Sequence, residues 1–237
     1  MASERFNAYP LDSLDGLKPN GVSPTIETYQ GVNCLKLVPL PEVEHSDGPT
    51  FAILENSNFH NGVIEISLSG TEPEDADSRD KDEFFGDFVG IGFRIQSDAY
   101  EASQIDPEIA PQLSPKINPA SVSQFECIYF RPSNALDENK KNRTVQYFAY
   151  PKYKFSILRK QFPGVYESYA PIAPKQWFRI RLEVQGEIAK LYVNGSDEPS
   201  LVVSDLKLGD SRGAIGLFVE RECVAYFSDL KITYYND

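Results

Sequence analysis

The feature that most constrains the fold is an alternation of apolar and charged residues with a period of two. It is clearest in WFRIRLEV, residues 177–184. The apolar members are Phe178, Ile180, Leu182 and Val184. Successive side chains of a strand point to opposite faces, so the pattern predicts a half-buried strand with one solvated face. The following Gln185-Gly186 and Asn194-Gly195 pairs are typical of turns, and they predict a hairpin over this region.

Similar short runs recur along most of the chain. They cover residues 34–38, 51–54, 62–70, 87–95, 125–131, 144–150, 201–203, 213–220 and 224–235. About ten or more short strands without a convincing amphipathic helix predict an all-β fold, a jelly-roll sandwich of two antiparallel sheets. The alternation resumes after each interruption. We therefore expect a single domain over 1–237, with long loop insertions at 70–87, 97–124 and 150–172.

The net charge of the chain limits the kinds of ligand and partner that it is expected to bind. It carries 23 basic and 35 acidic side chains, for a formal net charge of −12. Phosphate backbones need a basic footprint, so a nucleic-acid partner is not expected, and the overall charge favours a neutral or cationic ligand. The odd number of three cysteines does not indicate a disulfide framework, and the strand positions of Cys127 and Cys223 predict buried thiols. With only two histidines, no zinc site is expected.

The N-terminal residues lack a basic segment followed by an apolar one, and no stretch is long and apolar enough to span a bilayer. We therefore expect no membrane partner. The chain as written predicts a cytoplasmic location, and a removed signal peptide would instead imply a secreted or periplasmic one. The sequence assigns no oligomeric state.

Two sets of motifs carry a resemblance to a known superfamily. WFRIRLEVQG from Trp177, AKLYVNG from Ala189, GAIGL from Gly213 and AYFSDLKI from Ala225 occur in this order. The pattern resembles the concanavalin A-like lectin/glucanase superfamily, especially its laminin-G-like members. The middle segments FVGIGFR, IYFRPSNA, VQYFAYP and FPGVYES look like a bacterial branch that includes 3-keto-disaccharide hydrolase-type domains. The resemblance implies a carbohydrate-type ligand on the concave face or rim of the sandwich. In laminin-G-like strands the residue equivalent to Trp177 usually packs, which implies a structural role.

Residues 125–150 contain the best candidate site. If the two strands pair through the 132–142 connection, Glu126 and Gln146 are expected to converge, with Arg131, Asn134 and Arg143 at the rim and Tyr147 on the second strand. Sugars are bound by amides, carboxylates and guanidinium groups together with aromatic rings. The competing interpretation is that Glu126 and Arg131 form ordinary ion pairs and the tyrosines pack at an edge.

Two further segments add candidates. The aromatic-rich segment 147–169 is expected to cover the ligand, with Arg159, Tyr166 and Glu167 facing the sheet; the alternative is a loop held down by its own rings. Gly90 and Gly92 precede Arg94 on the same predicted face. Glycines on a strand face leave room for a ligand or a crossing loop. Arg94 is therefore also a candidate ligand residue.

Three functions remain open on these residues. The first is a carbohydrate-binding, lectin-like protein. The second is a glycoside or keto-sugar hydrolase, in which Glu126 and Glu167 are the candidate catalytic carboxylates in the same cleft. The Glu-x-Asp-x-x-Glu strand of the superfamily's retaining glucanases is absent, and Glu65 stands alone. The third is a non-catalytic protein-interaction sandwich, which predicts a broad apolar patch.

No cofactor is expected from the sequence. The acidic run from Glu72 to Asp87 could supply oxygen ligands to Ca²⁺. It does not match the EF-hand spacing, and a solvated acidic loop is the favoured interpretation.

Overall fold

The computed structural model describes residues 5–41, 43, 47–72, 87–97, 122–220 and 223–236. The predicted insertions at 70–87 and 97–124 lie mostly outside these ranges. The strands of the described part are β1 (Arg5–Tyr9), β2 (Leu17–Asn20), β3 (Val22–Tyr29), β4 (Val32–Pro39), β5 (Phe51–Leu54), β6 (Gly62–Thr71), β7 (Val89–Gln96), β8 (Gln124–Phe130), β9 (Val145–Tyr150), β10 (Glu167–Ser168), β11 (Phe178–Gln185), β12 (Ile188–Val193), β13 (Leu201–Val203), β14 (Ala214–Val219) and β15 (Val224–Tyr234). One α-helix, α1 (Phe155–Gln161), and 3₁₀ helices at Pro132–Leu136 and Lys141–Arg143 complete the described elements.

The strands form two antiparallel sheets, which confirms the all-β jelly-roll prediction. The eight-stranded sheet has the order β13-β12-β11-β6-β15-β4-β3, and β1 pairs with the second half of β15. The seven-stranded sheet has the order β10-β9-β8-β7-β14-β5-β2. Strands that are distant in sequence become neighbours in both sheets, as in other Greek-key sandwiches.

The hairpin predicted from the alternating run is formed by β11 and β12. Gln185 pairs with Ile188 across a two-residue connection, and Gly186 has a φ of 56°. The next turn places Asn194 at a φ of 52° and Gly195 at 75°. Consecutive residues with positive φ match the right-handed twist of the flanking strands, which is why Asn-Gly is favoured there.

The hydrophobic core lies between the two sheets. The buried members of β11 face inward while Arg179, Arg181 and Glu183 lie on the solvated side. From the seven-stranded sheet, the inner face carries Glu126, Ile128 and Phe130 of β8. The rings of Phe130 and Phe178 meet with centroids 5.0 Å apart, which joins the two sheets directly.

The outward face of the seven-stranded sheet carries a second set of rings, here called the aromatic layer. Its members Phe51, Phe125, Tyr129, Phe148 and Phe218 are all 0% exposed. Phe51 meets Phe125 edge-to-face at 4.7 Å, and Tyr129 meets Phe148 at 5.7 Å. Edge-to-face and tilted contacts of this kind stabilise an aromatic cluster beyond the area that it buries.

The space left by the glycines of β7 is occupied by this layer. A Cβ placed on Gly92 would lie 2.6 Å from Cε1 of Phe51, and one on Gly216 would lie 2.9 Å from Cδ1 of the same ring. Gly92 and Gly216 are paired across β7 and β14. The room predicted at Gly92 is therefore filled by a side chain of the protein.

The segment 150–172 is not the uniform loop expected from the sequence. It contains α1 and the short strand β10, which pairs with β9. The helix has seven residues, of which Leu158 is buried, so it is too short to give a helical period in the sequence. No helix in the described ranges is long and apolar enough to cross a membrane.

Two smaller expectations are met. They concern the packing of Trp177 and the burial of the cysteines at strand positions. Trp177 packs edge-to-face against Tyr29 at 5.9 Å, on the solvated side of that sheet. Cys34, Cys127 and Cys223 are free and buried.

Candidate functional site

The strand register separates residues that the sequence placed together. Glu126 pairs with Ala149, whereas Gln146 pairs with Tyr129. Because side chains alternate between faces, Glu126 lies on the inner face of the seven-stranded sheet and Gln146 on the outward face. The predicted convergence of Glu126 and Gln146 is therefore wrong.

Four of the predicted residues do meet on the outward face. We call them the Gln146 cluster: Arg131, Gln146, Arg159 and Glu167. The Oε1 atom of Gln146 accepts hydrogen bonds from Arg159 at 3.0 Å and from Arg131 at 3.4 Å. Glu167 pairs with Gln146 across β10 and β9, and its carboxylate accepts from Arg159 Nε at 2.7 Å. Two guanidinium groups, one amide and one carboxylate thus share a single patch.

The amide of Gln146 is held in one orientation. Its Nε2 atom donates to the carbonyls of Tyr147 at 2.9 Å and Tyr166 at 3.1 Å. These bonds fix which end of the amide faces the arginines, since only the oxygen can accept from a guanidinium. Gln146 is buried, while the side chains of Arg159 and Glu167 are 24% and 11% exposed. The cluster is therefore rigid at its base and open at its outer end.

Aromatic rings surround the two guanidinium groups. Cζ of Arg131 lies 5.4 Å from the ring centroid of Tyr129 and 5.9 Å from that of Phe155. Cζ of Arg159 lies 5.0 Å from the centroid of Phe155. Cation–π contacts of this length hold a guanidinium plane in position. Phe155 begins α1, so the helix contributes both Arg159 and a ring to the site.

Two acidic residues near the cluster were missed by the sequence analysis. Asp47 and Glu220 are 0% and 2% exposed. The backbone N–H of Asp47 donates to the Glu220 carboxylate, and Asp47 Oδ2 accepts from the N–H of Phe155 at 2.6 Å. Through these two hydrogen bonds, Asp47 links Glu220, the residue after β14, to Phe155 at the start of α1. The three segments are more than 60 residues apart in sequence, and no local pattern marks Asp47 or Glu220.

Three predicted ligand residues form a separate group on the inner side, the Glu126 group: Glu126, Tyr147 and Tyr166. The Glu126 carboxylate accepts from the hydroxyl of Tyr147 and from the N–H of Leu208 at 2.8 Å. The hydroxyl of Tyr147 accepts from the N–H of Lys207 at 2.8 Å. Tyr166 donates to Asp205 at 2.8 Å. The group fastens the segment after β13 to the sheet and faces away from the Gln146 cluster.

Burial raises the pKa of Glu126 to about 7, although hydrogen bonds from Tyr147 and Leu208 oppose the shift. A raised carboxyl pKa is also a feature of general acids. Glu126 and Glu167 nevertheless lie on opposite faces of one sheet, since Glu167 is on the side of Gln146. These two carboxylates therefore cannot flank one glycosidic bond as a catalytic pair.

Arg94 is fully buried, and its charge interacts with that of Glu126 although its hydrogen bonds go elsewhere. It sits at a β-bulge of β7 with a φ of 53°. Its guanidinium donates to the carbonyls of His60, Gly186 and Gly209 at 2.8 to 3.0 Å. The donors of its guanidinium are therefore occupied by backbone carbonyls in three different loops of the protein.

The remaining predicted residues lie in the connection between β8 and β9. Asn134 Nδ2 donates to the carbonyl of Arg143 at 3.0 Å, and Arg143 itself is exposed. Arg131 begins this connection, and its N–H donates to the carbonyl of Thr144 at 2.8 Å. Asn134 therefore shapes the connection through a contact with the chain, while the Arg143 side chain is available to solvent.

The acidic run 72–87, expected to be a solvated loop with a calcium site as the less favoured alternative, lies mostly outside the described residues. Asp87, at its end, accepts two hydrogen bonds from the N–H of Ser133, both 3.0 Å, and burial raises its pKa to about 6. Within the part of the chain that the structure describes, no three His, Cys, Asp or Glu side chains are grouped as a metal site would require.

The described part of the chain is a jelly-roll sandwich of two antiparallel sheets, with a polar cluster on the outward face of one sheet. Among solved structures, the chain is similar to a protein of unknown function with a galectin-like fold from Bacillus subtilis, at 14% identity and a TM-score of 0.56, covering 99% of this chain and 100% of that one. A carbohydrate-binding module, CBM66, from the same organism matches at 17% identity and a TM-score of 0.48, covering 90% of this chain and 96% of that one. A lectin from Bauhinia forficata in complex with GalNAc matches at 11% and 0.47, covering 98% of each chain. No protein-family model matches the chain, and no curated protein is significantly similar to it.

Proposed function

We propose that this protein binds a saccharide on the outward face of the seven-stranded sheet, at the Gln146 cluster. The observation that carries the proposal is the convergence of two guanidinium groups on Oε1 of Gln146, beside the rings of Tyr129 and Phe155. Planar donors recognise hydroxyl and carboxylate groups with fixed geometry, and the partly exposed ring of Phe155 can pack against the apolar side of a pyranose. The preformed base of the cluster lowers the entropy that binding must overcome.

Binding without bond cleavage is the form of the proposal that the side chains favour. Hydrolysis with two carboxylates requires both on one side of the sugar-binding surface, about 5 to 10 Å apart. The two candidates are divided by the sheet, and Glu126 is engaged by Tyr147 and Leu208. A hydrolytic role would be detected by incubating the protein with each bound oligosaccharide and analysing the products. Release of shorter sugars would replace this proposal with an enzymatic one.

The test is a saccharide screen on a glycan array, with each hit measured by isothermal titration calorimetry. The variant is Arg159→Gln, which removes the charge-assisted donors to Glu167 and Gln146. Such bonds contribute about 1.5 to 3 kcal/mol, so affinity should fall about 10-fold to 100-fold. The matched control is Arg181→Gln on the solvated face of the other sheet, which should bind normally. Well-folded protein that binds no saccharide would refute the proposal.

A further inference from the structure

We infer that the saccharide is acidic, and that its carboxylate binds between the guanidinium of Arg131 and the hydroxyl of Tyr129. This inference rests on the proposed function and names the class of sugar that the same site selects. It concerns a guanidinium group that lacks an ion-pair partner and a hydroxyl that lacks a hydrogen-bond partner among the described residues.

The first of these groups is the guanidinium of Arg131. Four other arginines of the described chain are at least partly buried, and each has an acidic partner: Arg94 with Asp210, Arg159 with Glu167, Arg179 with Asp229 and Arg181 with Glu183. Arg131 makes no such ion pair with any described residue. Among the described residues, the guanidinium makes one hydrogen bond, to the neutral Gln146, which is long at 3.4 Å, and its buried Nε atom has no partner there. A partly desolvated cation without a direct ion-pair partner favours an incoming anion, and the buried carboxylates of Asp47 and Glu220 reduce this preference without forming an ion pair with Arg131.

The second group is the hydroxyl of Tyr129. Tyr129 is 0% exposed, and its oxygen has no hydrogen-bond partner in the described structure. Buried hydroxyls are normally paired. Its ring lies beside Arg131, with Cζ 5.4 Å from the centroid. Burial raises the pKa of Tyr129 well above its ordinary value, so the hydroxyl keeps its proton and remains a donor at neutral pH.

A carboxylate fits this pair of groups better than a sugar hydroxyl does. It has two oxygens, and can accept from a guanidinium and from a phenol at once. A hydroxyl carries no charge to compensate Arg131. Arg159 already has Glu167 as an ion-pair partner, so Arg131 is the guanidinium of the cluster that lacks one among the described residues.

The charge around the site also differs from that of the whole chain. The net charge of −12 favours a neutral or cationic ligand on average, but residues 125–160 contain eight basic and three acidic side chains. Asp47 and Glu220 oppose an anion at Tyr129, where Arg131 and Arg159 favour it. Beyond a Debye length of about 8 Å at physiological salt, distant charges are largely screened, so the neighbouring groups dominate.

The test compares each acidic sugar with its own uncharged form. Trisaccharides of galacturonate, glucuronate and mannuronate are titrated by calorimetry against the full chain, alongside the methyl ester of each and the neutral trisaccharide of the corresponding hexose. At least one free acid should bind tenfold or more tightly than its ester. Arg131→Gln should abolish this preference, whereas Arg181→Gln should preserve it.

A second variant keeps the test decisive if Arg131→Gln does not fold. Tyr129→Phe removes only the unpartnered oxygen, so thermal unfolding should occur at the wild-type temperature or higher while the preference for the free acid falls several-fold. An unchanged preference in Tyr129→Phe would overturn the placement of the carboxylate at this hydroxyl.

The possible results separate this inference from the function on which it rests. Esters and neutral sugars that bind as tightly as the acids would overturn the acidic ligand and leave saccharide binding intact. No binding of any sugar would overturn both. Inorganic phosphate or sulfate that competes with equal affinity would show a general anion site and overturn the assignment to a sugar carboxylate.

Discussion

The carboxylate of Glu126 accepts the backbone N–H of Leu208 at 2.8 Å, across 82 positions of sequence. Together with the contact between Tyr147 and Lys207, this bond joins the middle of the seven-stranded sheet to the segment that follows β13. The charge state of one buried carboxyl group therefore affects how two distant parts of the chain are held together.

Stability should depend on pH through Glu126. Its pKa rises from an ordinary 4.5 to about 7 in the folded protein, so the native state binds the proton more tightly than the unfolded chain does. Stability from this group is then present at low pH and lost as pH rises from about 4.5 to about 7. Glu126→Gln removes the effect. Relative to wild type, its free energy of unfolding should improve by about 2 kcal/mol between pH 5 and pH 8.

Urea unfolding of both proteins at several pH values measures this difference. Asp87, whose pKa is also raised, is present in both proteins and cancels in the comparison. Parallel stability profiles for wild type and Glu126→Gln would contradict the prediction.

Arg94→Met should strongly destabilise the fold. Arg94 donates to the carbonyls of His60, Gly186 and Gly209, and methionine would remove these hydrogen bonds from all three. Loss of a buried charged partner costs about 3 to 5 kcal/mol, which chemical denaturation can measure. Arg181→Met, at a surface ion pair, should change stability by about 1 kcal/mol or less. A mild effect at Arg94 would mean that the three connections are held by other contacts.

Gly92→Ala should destabilise the protein by about 1 to 3 kcal/mol, because the new methyl group would meet the ring of Phe51 at 2.6 Å. Phe51→Leu should recover part of this loss in the double variant, with a coupling energy of about 1 kcal/mol. Gly90→Ala is the matched control, since its methyl group would meet Tyr129 and the carbonyl of Ile128 instead. Equal rescue of both glycine variants by Phe51→Leu would count against this packing. Equilibrium unfolding in urea gives all the required values.

Most of the strands could be predicted from alternation alone, because one face of each is buried and the other is polar or packs rings. The strands that were missed are β1, β2, β3 and β10. Pro19 lies in β2 and Pro24 in β3, and a proline normally argues against a strand. Both strands are at the edge of their sheet, where a missing N–H is tolerated. Strand order is set by pairing between distant segments, so the sequence could not reveal it.

The candidate site was predicted only in part, for the same reason. Four of the predicted residues lie together in the Gln146 cluster, but the division into two faces depends on register, and a shift of one residue exchanges the faces. Asp47 and Glu220 reach the site through tertiary contacts alone. Arg94 was given a ligand role because a glycine-rich strand suggested free space, and the bulge turned its side chain toward three backbone carbonyls.

Along one of its two edges, strand β15 pairs with two strands in succession. Residues 225–227 pair with β4, and residues 230–234 pair with β1. Removing the first nine residues would uncover half of that side, leaving a row of amide and carbonyl groups open to another chain. A shortened protein would then gain a surface for intermolecular strand addition at the end of its most extensively paired strand. We therefore expect β1 to hinder self-association through this edge.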